Sequence, residues 1–141
     1  NIDTCILDLK PSKLFINIGT NDLSNPDIPI AEMIANYDKI ICQVKDSLPD
    51  VSIYFMAYYP INYDAATDEM KPCLLVRTNK KIDEANAAVR ALAQKHNEMY
   101  IDITAPLKDE NGNLKAEYTI EGMHINEDGY RSIFPEFMKY V

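Results

Sequence analysis

The chain has 141 residues, 47% of them apolar, with 22 acidic against 14 basic side chains and a formal net charge of −8. That length is one domain's worth and enough to bury a core, while the acidic balance argues against nucleic-acid or anionic-lipid partners. No apolar run approaches the roughly 18 residues of a bilayer-spanning helix. The three cysteines, Cys5, Cys42 and Cys73, are odd in number and widely spaced, so they suggest neither a disulfide framework nor a zinc knuckle and are expected as reduced packing residues.

The chain opens on Asn1 rather than a methionine and shows no charged leader with an apolar core, so no targeting signal is expected within it and its true start is expected to lie elsewhere. The compartment stays open, with the cytoplasm favoured. Ile2, Cys5, Ile6 and Leu9 have helical spacing that ends at Pro11, as in the tail of a helix. Leu14 to Ile18 then reads as a buried parallel strand, with β-branched Ile16 and Ile18. Gly19 marks a close approach or an unusual φ. In open α/β sheets ligands bind outside the carboxyl ends of strands, which puts Asn21 and Asp22 where chemistry is usually done. Gly19-Thr20-Asn21-Asp22 also reads as a plain turn with a capping Asx residue.

Ile30, Met33, Ile34, Tyr37, Ile40, Ile41, Val44 and Leu48 follow a helical stripe that stops at Pro49. Val51 to Met56 predicts a second buried strand. Ile61 to Arg77 has no clear period and reads as a binding loop or a surface insertion. Thr78 or Asn79 caps a second helix with an inward stripe of Ile82, Ala85, Val89, Leu92 and Ala93, and Lys80-Lys81 is expected on its solvated face. That helix fades near His96, whose place at a helix C-terminus suits the dipole. Met99 to Ile103 gives a third strand and Asn111-Gly112 a turn. The segment Asn126 to Val141 predicts a helix burying Tyr130, Ile133, Phe134, Phe137, Met138 and Val141 on one face, kinked or split at Pro135.

Strands alternating with helical patterns imply βαβ units, a parallel sheet and right-handed crossovers. The fold expected is a three-layer α/β/α sandwich, in a single domain over 1–141.

Ahead of the last helix, Glu121-Gly122-Met123-His124 sets a carboxylate three residues before one of only two histidines. A carboxylate holding an imidazole by one ring nitrogen leaves the other free to act as a general base. A capping or surface pair is the structural alternative. Zinc wants three or four protein ligands, which this sequence does not cluster, so no metal is expected.

Taken together, Gly19-Thr20-Asn21-Asp22 after a buried strand and Glu121-Gly122-Met123-His124 before a terminal helix resemble the SGNH/GDSL hydrolase family. The resemblance covers essentially the whole chain in its order of strand, helix, strand, helix, strand. It implies a flavodoxin-like sheet, a serine acyl-enzyme mechanism on carboxylic esters, and no metal or organic cofactor. It also implies Asn21 as an oxyanion donor, His124 as base and Glu121 as the acid that orients it, with Gly19, Thr20 and Asp22 beside the substrate. Acyl or acetyl esters, of a sugar or a lipid among others, are the implied substrates.

Two departures accompany the resemblance. The Gly-Asp-Ser block that carries the family's nucleophile, and the second block that donates an oxyanion hydrogen bond through a glycine, are both absent. None of the five serines, Ser12, Ser24, Ser47, Ser52 and Ser132, follows a strand in such a turn. Glu121 stands where the family usually has aspartate, one methylene shorter. The chain is therefore expected to be N-terminally incomplete and inactive alone, its sheet completed by an upstream segment or another chain. The reading from a different class is a non-catalytic α/β module that binds a ligand or a partner.

Overall fold

The computed structural model describes residues 2–141. Three strands, β1 (Lys13–Ile16), β2 (Ser52–Met56) and β3 (Met99–Ile101), form a parallel sheet in the order β1-β2-β3. Leu14 pairs with Ile53, and Tyr54 with Met99. Four α-helices accompany the strands: α1 (Ile30–Ser47), α2 (Lys71–Val76), α3 (Asn79–Lys95) and α4 (Glu127–Phe137).

Side chains alternate across a strand, so β1 and β2 feed two different cores. Ile16, Ile53 and Phe55 join Tyr37, Ile41 and Val44 of α1 and Ile82, Ala85 and Val89 of α3 in one apolar cluster. The opposite face carries Phe15 and Tyr54, whose rings stack at 4.6 Å, with Phe15 meeting Phe137 of α4 edge-on at 4.8 Å. Beside them Ile103, Leu107, Leu114, Ile125 and Ile133 form a second cluster. The result is a sandwich with α1 and α3 in one layer, the sheet in the middle and α4 in the other.

Several segments depart from the sequence expectation. The opening turn, Asp3–Leu7, is π-helical. The stretch expected to be irregular holds α2, with Pro72 in its first turn where the missing N–H costs nothing. Lys81 is half-buried rather than solvated, because its Nζ donates to the Leu23 carbonyl at 2.9 Å. α4 runs unbroken through Pro135, which removes the one hydrogen bond its N–H would have made to the Arg131 carbonyl without ending the helix. The apolar residues of α4 and of the residues after it are not all buried: Ile133 is 4% exposed, whereas Tyr130, Phe134, Met138 and Val141 are 47 to 63% exposed.

Candidate active site

Beyond β1 the chain must turn sharply, and Gly19 makes this possible with φ +86. An added Cβ there would lie 3.0 Å from Met33 Cγ and 3.2 Å from the Tyr58 hydroxyl. That hydroxyl donates to the Ile18 carbonyl at 2.5 Å, while Tyr58's own backbone is held by Asn86 of α3. Burial pushes the Tyr58 phenol far above its ordinary pKa, so it stays a neutral donor. The turn then runs into a short 3₁₀ helix, Asp22–Ser24, and Asp22 N–H donates to Gly19 O at 3.1 Å. Thr20 and Asn21 are presented at the carboxyl end of the sheet.

The second half of the site is a stapled loop. Thr119 Oγ1 accepts from Gly122 N–H at 2.9 Å and donates to the His124 carbonyl at 2.8 Å, and Thr119 bridges to Ile125. Asn126 caps α4 by accepting from Gly129 N–H and ties back through its Nδ2 to Glu117 O. Within this frame Glu121 Oε1 accepts from the His124 backbone N–H at 2.6 Å and lies 2.8 Å from His124 Nδ1. With its proton on Nδ1 the imidazole donates to the carboxylate and leaves Nε2 as the lone-pair nitrogen. The extra methylene of glutamate is taken up by folding back over its own loop. The His124 side chain is 77% exposed and that of Glu121 21%, so the ring stands in the opening while the carboxylate sits behind it. Glu121 Oε2 is buried without a partner.

Thr20, Asn21 and His124 line one cavity of about 250 Å³. Gly19 and Asp22 form the turn behind it and Glu121 supports His124, none of the three lining the cavity. Residues the sequence did not single out complete the walls: Asn17, Met56, Tyr59, Arg77, Met123, Ile125 and Tyr130. Asn17 had a signal, as the polar interruption of an apolar strand run; its Nδ2 donates to Ala57 O at 3.0 Å. Arg77 closes the stretch read as a binding loop or a surface insertion, whereas Tyr59 had no signal, since it arrives after β2 by long-range folding. Burial, followed by the neighbouring Tyr130, raises the Tyr59 phenol above its ordinary pKa, so its hydroxyl stays protonated at neutral pH. No serine or cysteine lines the cavity among the described residues.

Away from the cavity, donor atoms of Asp38, Cys42 and His96 lie within 4.8 Å of one another. Asp38 already accepts from Lys95 at 2.5 Å and lies 2.6 Å from His96 Nε2, an ion-paired cluster that ties α1 to the end of α3.

Sequential parallel strands, crossover helices and a cavity at the strands' carboxyl ends define a three-layer α/β protein with its site in the usual place for that class. The chain belongs to the GDSL-like lipase/acylhydrolase family, whose sequence pattern matches residues 3–132. A curated relative, the GDSL esterase/lipase WDL1 of Oryza sativa subsp. japonica, is 22% identical over 142 residues, covering 94% of this chain and 54% of the relative. A candidate platelet activating factor of Streptococcus pneumonia superposes with a TM-score of 0.81 at 31% identity, over 92% of this chain and 59% of that one. A GDSL-like lipase from Bacteroides thetaiotaomicron gives 0.76 at 21% identity, over 98% and 65%. A catalytic mutant of an acetylxylan esterase from Geobacillus stearothermophilus gives 0.69 at 17%, over 95% and 61%. The last two likenesses speak for the fold alone. The chain thus spans between 54% and 65% of the length of these relatives.

Proposed function

We propose that this chain forms the larger part of a serine ester hydrolase domain, contributing its general base and one oxyanion donor. The observation that carries the reading is the Glu121–His124 contact of 2.8 Å at a cavity whose other wall is Thr20 and Asn21. A serine from outside these residues attacks the ester carbonyl, and its proton passes to His124 Nε2 while Glu121 stabilises the imidazolium. The Asn21 side-chain amide donates to the oxyanion of the tetrahedral intermediate. His124 returns the proton to the departing alcohol, and a water, activated by the same ring, then releases the acid from the acyl-serine. A cavity of about 250 Å³, in which Met56, Met123 and Ile125 supply apolar wall beside the polar groups, suits a small acyl group, acetyl among them.

The proposal includes an upstream segment that completes the sheet. In the order β1-β2-β3, β1 lies at an edge with Leu14 and Phe15 only half-buried. Tyr130 and Phe134 lie open on α4, and Met138 and Val141 are exposed just beyond its end. A preceding strand and helix would cover both, and the relatives' greater length leaves room for them. The second reading, a binding module without turnover, rests on the lack of a serine among the cavity's described walls. The test is a panel of short-chain esters run on the protein extended upstream in its reading frame. Turnover abolished by a serine-directed organophosphate supports the hydrolase. Ester binding without turnover in the extended protein supports the module and overturns the proposal.

A further inference from the structure

Arg77 follows α2 directly and precedes the Thr78 cap of α3, and the chain folds its side chain inward so that only 7% is exposed. Buried charges are ordinarily paired, because an unpaired guanidinium loses its hydration for nothing. Arg77 makes no ion pair among the described residues. Its Nη1 donates to the Met123 thioether at 3.2 Å, a weak acceptor, and its Nε is buried without a hydrogen-bond partner. Burial pulls the guanidinium's pKa below its ordinary value, with Cys73, Tyr58 and Glu121 acting in the opposite sense. A guanidinium nonetheless keeps its proton in a protein. Among the residues lining the cavity Arg77 alone carries a permanent charge, and no carboxylate lines it.

We infer that Arg77 makes this cavity an anion-recognising subsite, selecting esters that carry a carboxylate or similar oxyanion on the acyl or alcohol part. This rests on the ester-hydrolase reading for the word ester; the subsite itself rests on the buried, under-partnered guanidinium in the wall shared with His124. A planar fork of N–H donors matches a carboxylate in two parallel hydrogen bonds, which a thioether cannot supply. A substrate oxyanion in the cavity would give the guanidinium a far stronger acceptor than the Met123 thioether. The alternative is a purely structural strut packing the loop of residues 61–77 onto Met123, and a strut has no preference for charged ligands.

The experiment needs no turnover. Monomethyl glutarate and its neutral counterpart dimethyl glutarate are titrated into the 141-residue protein at about 0.15 M salt, where long-range repulsion from the acidic surface is largely screened. Binding is followed by NMR at the imidazole C–H signals of the two histidines, His96 serving as the control remote from the cavity. The monoester should bind at least roughly tenfold tighter than the diester, as expected for a charge-assisted hydrogen bond, and should move His124 but not His96. Arg77→Met should abolish that preference, and Arg77→Lys should retain part of it. Should Arg77→Met fail to fold, the comparison of the two probes on the unaltered protein still decides. Equal affinities, or shifts that spare His124, overturn the inference. Anion preference in a protein that hydrolyses no ester leaves the subsite standing and removes the hydrolase; ester turnover without anion preference does the reverse.

Discussion

Replacing Gly122 by alanine tests the framework that holds Glu121 and His124 together. Gly122 has φ +92, a conformation that side chains disfavour, and an added Cβ would lie 2.5 Å from the Asn62 carbonyl oxygen and 2.7 Å from Ala66 Cβ. Gly112 supplies the internal control, with φ +81 and nothing within 4 Å of its added Cβ. Gly112→Ala therefore reports the backbone term alone, about 1 to 2 kcal/mol. Gly122→Ala adds about 1 to 3 kcal/mol of overpacking against rigid backbone and about 1 kcal/mol from disturbing the 2.8 Å bond between Asn62 N–H and Gly122 O. The sum, about 3 to 6 kcal/mol, is a large share of the ~5 to 15 kcal/mol that holds an ordinary domain together. Urea denaturation of the two variants measures the difference, provided both retain the same denaturant slope. If Gly122→Ala matches Gly112→Ala to within about 0.5 kcal/mol, the close packing of the loop of residues 61–77 on the Glu121–His124 turn is not as described.

Three further outcomes are expected. In the upstream-extended protein, Asn21→Ala should lower kcat by roughly 10² to 10³ with little change in KM, and a drop of less than fivefold in a folded variant would remove Asn21 from the oxyanion hole. Hydrogen bonds from Lys95 and then from His96 hold the Asp38 carboxyl below its ordinary 3.8, so its contribution to stability is present above that pH and is lost as the pH falls through the lowered folded value. Asp38→Asn should thus destabilise by up to ~1 kcal/mol at neutral pH and converge with the unaltered protein in acid, and a constant difference across the two would contradict the ion-pair account. The 141-residue chain alone should self-associate through the α4 stripe and the β1 edge, with Phe134→Lys shifting light scattering toward the 16.1 kDa monomer; an unaltered chain that is monomeric at high concentration speaks against it.

The parts of this molecule that were legible in the sequence are those that local periodicity determines. α1 and α3 announce themselves because one stripe of each is apolar over about three turns or more, and all five residues expected on the inward stripe of α3 are buried. The strands read as apolar runs; β2 ends at Met56 as expected, while β1 and β3 each end two residues early, because hydrogen bonding at their ends changes partners. The Ile18 carbonyl goes to Tyr58, and after β3 Thr104 N–H and Oγ1 both turn to Asp102 Oδ1. α2 has six residues, too few for a period to show. In α4 and the four residues after it the apolar side chains fall into two sets at helical spacing, Ile133-Phe137-Tyr140 and Tyr130-Phe134-Met138-Val141. Periodicity shows that both exist and cannot say which one the second core covers. Likewise the Glu121–His124 pair is close in sequence and could be read directly, whereas Arg77, Tyr59 and Tyr130 reach the cavity from separate segments, so no local spacing shows that they meet.

The central claim is that His124, held by Glu121, is the base of an ester-hydrolysing site. Its most direct test is the rate of ester cleavage against pH for the upstream-extended protein, its Glu121→Gln variant and its His124→Ala variant. The account predicts a rate that rises as the imidazole becomes neutral, a loss of roughly 10² to 10⁴ in kcat/KM for His124→Ala, and a smaller loss for Glu121→Gln. A folded His124→Ala protein that cleaves the same ester within fivefold of the unaltered rate, on the same pH profile, contradicts it.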